Sequence, residues 1–215
     1  MAETRLTRIS RRAIVTTALA SALPARALAV RGKVVTMLGD SITAGYGLPS
    51  RDALPLQLQA ALAKLNVEAV VRGAGISGDT SADGAARVDF SIRPDTRVVV
   101  VALGGNDLLQ GLDPKSTYAN LERIITRVKA RHMGVVLTGL QAPGAIGRSY
   151  AKDFDAVFPT LAKKYGVALY PDLLAGVARD PALNQGDGIH PNARGVKIIA
   201  DRLAPVVAKV LARQP

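Results

Sequence analysis

The stretch "VVVVALGGND", Val98 to Asp107, decides how the rest of the chain is read. Six apolar residues in a row, four of them valine, are too few for a stable buried helix and too uniform for a strand with one wet face. A strand covered on both sides of its sheet needs this pattern, and the Gly104-Gly105 pair ends it sharply. Similar apolar runs stand at Val34–Leu38, Val67–Val71, Val135–Thr138 and Val167–Tyr170. Between and after them lie stretches with helical spacing, near Leu54–Leu65, Ala82–Ser91, Thr117–Arg131, Tyr150–Tyr165 and Ala193–Ala212. In the third of these, Leu121, Ile124, Ile125 and Val128 share one face. Strands alternating with helices predict an α/β fold: one parallel five-stranded sheet with helices on both faces. At 215 residues, with no repeats and no linker, one domain is expected.

Sheets of this kind bind ligands at the carboxyl ends of their strands. Four such loops carry polar residues: "GDSITAGYG" (Gly39–Gly47), "GAGISGDTSADG" (Gly73–Gly84), "GGND" (Gly104–Asp107) and "GDGIHPN" (Gly186–Asn192). The first holds Ser41, alone a nucleophile candidate or an ordinary turn residue. The last holds Asp187 and His190, three apart, close enough in a turn for a carboxylate to fix the tautomer of a base. Read alone, the same loop could use Asp187 to cap the closing helix and leave His190 at the surface. Asn106 offers an amide donor beside two glycines, either as a helix cap or for an oxyanion. Gly73, Gly75 and Gly78 satisfy G-x-G-x-x-G, but they follow the second strand rather than the first. The next strand ends in Leu103-Gly104-Gly105 with no acid, and Asp95 stands before it, which argues against a dinucleotide site. Neither a G-x-S-x-G elbow nor a phosphate loop occurs in the chain.

Composition narrows the chemistry. Cysteine is absent, which removes thiol catalysis, thiolate metal sites and disulfides. His132 and His190 are the two imidazoles, too few for a multi-histidine zinc site, and His132 reads as a solvated helix-terminal residue. No metal and no cofactor are expected. The formal charge of +11 favours anionic surfaces or substrates, yet no Lys/Arg run interleaved with aromatics suggests a nucleic-acid partner.

The first segment reads as an address. Arg5, Arg8, Arg11 and Arg12 precede the uncharged run Ala13–Leu23, and Ala27-Leu28-Ala29 has the small-x-small cleavage pattern. "SRRAIV", Ser10 to Val15, resembles a twin-arginine export signal, with an ordinary secretory signal as the alternative. Residues 1–29 are therefore expected to be a signal peptide and 30–215 the mature domain, periplasmic or secreted, with no stable membrane anchor. Loss of five arginines and one glutamate would leave a mature charge of +7.

Taken in order, the four loops resemble the four blocks of the SGNH (GDSL-type) hydrolases. "SGDTS", "GGND" and "DGIHPN" are most similar to the arylesterase, thioesterase I and lysophospholipase branch. The resemblance implies a flavodoxin-like three-layer α/β/α sandwich. It implies Ser41 as nucleophile, His190 as base and Asp187 as its orienting acid. It also implies an oxyanion hole from the Ser41 and Gly78 N–H groups and the Asn106 amide, with Asp40 ordering the turn. The loop after the fourth strand borders the acyl site in that family, which brings in Pro143, Ala145 and Ile146. There "PGAIG", Pro143 to Gly147, has Ala145 where the family often has asparagine, and Gly73 replaces a frequent asparagine in the second block. Both departures bear on acyl-chain preference rather than on hydrolysis. The expected activity is hydrolysis of short- to medium-chain acyl esters, extending to thioesters and lysophospholipids, with a small-molecule acyl ester or thioester as substrate. The alternatives are carbohydrate O-deacetylation on the same scaffold and non-catalytic binding of an acyl ligand.

Overall fold

A computed structural model describes residues 32–215. The expected signal segment, 1–29, lies outside the described residues. In chain order the elements are β1 (Lys33–Gly39), α1 (Ser41–Ala44), α2 (Leu54–Lys64), β2 (Ala69–Gly75), α3 (Ser81–Ser91), β3 (Thr96–Ala102) and α4 (Gly105–Leu109). There follow α5 (Pro114–Ala130), β4 (Gly134–Thr138), α6 (Arg148–Tyr165), β5 (Ala168–Tyr170) and α7 (Ala193–Leu211). All strands are parallel, in the order β2-β1-β3-β4-β5. The chain winds outward in one direction from β1 to β2 and in the other from β3 to β5, so the topological switch lies between β1 and β3.

The four valines of β3 divide by parity, as side chains on a strand must. Val98 and Val100 pack with α2 and α7, and Val99 and Val101 with α3, α5 and α6. All four are fully buried. At about 1.5–3 kcal/mol for each such side chain, this strand alone anchors both layers. The three-layer α/β/α sandwich agrees with the expectation from the sequence.

The second strand departs from its expected bounds. It was expected at Val67–Val71, and it runs from Ala69 to Gly75, pairing Gly73 with Met37 and Gly75 with Gly39. Hydropathy cannot see this extension, because the close packing of α1 and α2 excludes side chains there. A Cβ on Gly75 would lie 2.4 Å from the Ala44 nitrogen, and one on Gly73 would lie 2.9 Å from Pro55 Cγ. Two of the three glycines in the G-x-G-x-x-G pattern are therefore strand residues rather than a phosphate cradle.

Candidate active site

β1 ends at Gly39, where a Cβ would collide with Thr43 and with the Ala102 carbonyl. The chain must then turn at once. Asp40 caps the single turn of α1, its Oδ1 accepting the Ile42 N–H at 3.0 Å. Gly45, at φ 77°, closes the other end. Ser41 is thus the first helical residue, where its N–H has no intrahelical acceptor. Its side chain stands at the carboxyl edge of the sheet beside the switch point.

His190 arrives from the loop before α7. Its Nε2 lies 2.8 Å from Ser41 Oγ, and its Nδ1 lies 2.6 Å from Asp187 Oδ2. Asp187 Oδ1 accepts the N–H groups of Ile189 and His190 at 2.9 and 3.0 Å. These bonds hold the Asp187 carboxyl down at about 2; the imidazole contact is the largest cause and the backbone donors follow. Asp187 does not cap α7. Asn192 does, accepting from Arg194 and Gly195. Gln185 braces the turn, since its N–H donates to the His190 carbonyl at 2.8 Å and its Nε2 to the Tyr46 carbonyl at 2.8 Å. The Tyr46 ring packs on the imidazole, with centroids 4.7 Å apart. The sequence reading did not single out Tyr46 or Gln185. Both contacts join residues distant in the chain.

Asn106 opens α4, after Gly104 at φ 115°. Its Nδ2 donates to the Asp79 carbonyl at 2.8 Å. A carbonyl only accepts, so this bond fixes which way the amide faces and leaves one N–H free for another acceptor. Gly78 precedes Asp79, at φ 91°, with nothing within 4 Å of where a Cβ would be. Its N–H has no acceptor among the described residues. Ser41, Gly78 and Asn106 thus sit on three adjoining loops at one sheet edge. His132 lies elsewhere, at the turn after α5, with φ 56°.

Asp40 is buried beneath this arrangement, 6% exposed. Its Oδ2 lies against Gly105, where a Cβ would be 3.1 Å away. Burial pushes its carboxyl up to about 6, against the opposing pull of the Ile42 N–H and of His190.

A cavity of about 390 Å³ opens beside Ser41, His190, Asn106 and Asp40. Its walls are mainly apolar, with Leu108, Leu109, Leu140, Leu173, Leu174 and Ile189 among them. Pro143, Ala145 and Ile146, expected at the acyl site, do not line it. They lie in and beside a 3₁₀ turn, Gly144–Ile146, with Ile146 45% exposed. The reason is the sharp exit from β4. Gly139 packs on the Pro171 carbonyl, and the chain lays Leu140 and Gln141 over the site before it reaches Pro143. The opposite wall comes from Asp172–Arg179, an apolar segment whose role the sequence does not signal because it has no regular period.

Residues 37–198 match the model of the GDSL-like lipase/acylhydrolase family. The thioesterase 1/protease 1/lysophospholipase L1 of Escherichia coli K12 is 38% identical over 177 residues, 82% of this chain and 84% of that protein. Among solved structures, AlinE4, an SGNH-hydrolase family esterase, is 40% identical with a TM-score of 0.70, covering 83% of this chain and 96% of its own. The psychrotrophic esterase EstA of Pseudoalteromonas sp., solved as inhibited by monoethylphosphonate, is 26% identical with a TM-score of 0.78. That match covers 84% of this chain and 100% of the other.

Proposed function

We propose, for a chain that belongs to the GDSL-like lipase/acylhydrolase family and is a serine ester hydrolase, that Ser41, His190 and Asp187 carry the reaction. The observation behind this reading is the unbroken contact from Ser41 Oγ through the imidazole to Asp187, 2.8 and 2.6 Å long. His190 Nε2 takes the serine proton as Oγ attacks the acyl carbonyl. Negative charge then develops on the carbonyl oxygen and is met by the Ser41 and Gly78 N–H groups and the Asn106 amide. The tetrahedral centre collapses, His190 gives its proton to the departing alcohol or thiol, and an acyl-Ser41 ester remains. Water, deprotonated by His190, attacks that ester; the second tetrahedral centre collapses, His190 returns the proton to Ser41 Oγ, and the acid departs. Asp187 keeps Nδ1 protonated and stabilises the imidazolium in both halves.

The substrates are short- to medium-chain acyl esters. The apolar walls of the 390 Å³ cavity beside Ser41 suit an acyl chain. Thioesters and lysophospholipids join the proposal because the name of the E. coli relative includes both activities. Export directed by residues 1–29, which are then removed, is a further part of the proposal, and sequencing the mature N-terminus checks it.

The test is Ser41→Ala against p-nitrophenyl acetate, with fluorophosphonate labelling of the wild type. Turnover falls by several orders of magnitude and labelling reaches one per chain. Undiminished turnover in Ser41→Ala overturns the assignment. A kcat/KM series from C2 to C16 esters, with an acyl-CoA alongside, measures the acyl preference; a flat profile defeats the medium-chain reading.

A further inference from the structure

The three groups proposed to face the oxyanion follow three different strands, and no single loop sets their spacing. Gly78 is the least supported, since the space about its α-carbon is open and its φ of 91° has no packing of its own to hold it. What fixes it is its neighbour, Asp79. The Asp79 carbonyl accepts from Asn106 at 2.8 Å, and its carboxylate accepts from Arg87 Nε at 2.6 Å.

Arg87 reaches further. From α3 its Nη1 donates to the Ala74 carbonyl on β2 at 2.9 Å and to Ser91 Oγ at 3.0 Å. Its Nη2 donates to the Gly39 carbonyl at 2.9 Å. Gly39 is the last residue of β1, two before Ser41, and its carbonyl also accepts the Ile76 N–H at 3.1 Å. One guanidinium therefore joins the nucleophile strand, the second strand and the Gly78 loop.

The head of α3 is held to the third donor. Asp107, beside Asn106 and 1% exposed, accepts from the Ser81 N–H at 2.7 Å, from Ser81 Oγ at 2.5 Å and from Thr117 Oγ1 at 3.0 Å. Asn120 Nδ2 completes the cluster on Ser81 Oγ at 3.1 Å.

We infer that Arg87 and Asp107 are positioning residues for the oxyanion site, with α3 as the strut that fixes Gly78 between Ser41 and Asn106. The inference rests on the oxyanion assignment proposed above. A buried ion pair is by itself a weak source of stability. The arrangement of these bonds is what carries the role: three of the four Arg87 acceptors lie on β1, β2 or the Gly78 loop, and Asp107, next to Asn106, holds the head of α3 through Ser81. A donor displaced by about 1 Å loses on the order of a hundredfold in rate, and a donor removed loses about 10²–10³.

The experiment compares Arg87→Met, Arg87→Lys and Asp107→Asn with wild type, each normalised to the number of fluorophosphonate-labelled sites. Turnover per site falls roughly 10- to 100-fold, KM stays within about threefold, and the affinity of a boronic acid, which forms a tetrahedral adduct on the serine, falls in step with kcat. Arg87→Lys keeps the charge without the fork and falls between Arg87→Met and wild type. Millimolar guanidinium restores part of the turnover of Arg87→Ala and leaves wild type unchanged. Wild-type kcat per labelled site in both Arg87→Lys and Asp107→Asn overturns the inference. So does a loss explained wholly by fewer labelled sites. If Arg87→Met does not fold, Arg87→Lys decides. Failure of wild type to label counts against the assignment of Ser41 instead.

Discussion

Replacing Asp40 by asparagine should make the protein more stable above neutrality, and the gain should vanish in acid. The folded-state carboxyl is pushed from 3.8 to about 6 by burial, so the native chain binds this proton more tightly than the unfolded chain. Stability from this group is then fully present below pH 3.8 and is lost as pH rises through about 6. A shift of about two units corresponds to about 3 kcal/mol. Asparagine has the same shape and its Oδ1 can still accept the Ile42 N–H, so the cap of α1 survives. Urea unfolding of both proteins from pH 4 to pH 8 isolates the effect, since all other titrations cancel in the difference. The advantage of Asp40→Asn should grow by up to about 3 kcal/mol across that range and level off above pH 7, a shift in Tm of roughly 6–12 °C for a domain of this size. A difference that is constant with pH, or that shrinks as pH rises, would refute the reasoning.

Asp187→Asn should keep the backbone bonds to Ile189 and His190 but present an amide to Nδ1 and select the wrong tautomer, lowering turnover by roughly 10²–10⁴. The Asp187 carboxyl is held down at about 2, so its contribution to stability is present above 3.8 and lost as pH falls through 2. Acid titration of the two proteins should therefore show their stability gap closing below pH 4. Gly75→Ala should cost about 1–3 kcal/mol and most of the esterase activity, because its Cβ would strike the backbone of Asp40 and Ala44. Gly144→Ala, in open space, should change the Tm little. Thr43→Val removes a buried hydroxyl that has no partner among the described residues and should raise stability by about 1 kcal/mol in the same denaturation assay.

The sheet was legible because burial on both faces leaves a mark that hydropathy records. Val98–Val101 announce a central parallel strand without help from any partner. The polar residues of the candidate site were legible only as a set: Ser41, Asn106, Asp187 and His190 each pass alone for a turn, cap or surface residue, and their order across four loops is what marked them. What escaped was set by distance in the chain. Arg87 reads as one more charge on an amphipathic helix, yet it meets carbonyls on two strands and a carboxylate in the loop after the second. Tyr46 meets His190 across more than half the domain. The cavity wall from Leu173 and Leu174 escaped because an irregular segment has no period to read. The glycines of β2 misled for the opposite reason, since a pattern that cradles phosphate elsewhere here lets two helices approach a strand.

Residues 171–192 carry two tasks on one continuous piece of chain. Leu173 and Leu174 wall the cavity beside Ser41, and Asp187 and His190 complete the polar contact to Ser41. The piece lies between β5 and α7, and the Asn184–Pro191 bridge closes the turn that carries Asp187 and His190. In recombination between relatives, crossovers at Tyr170 and Asn192 would move substrate preference and proton handling together as one heritable cassette. Ser41, Gly78 and Asn106 would stay behind with the host sheet. Selectivity in this architecture can thus be exchanged without dissecting the base from the wall it evolved beside.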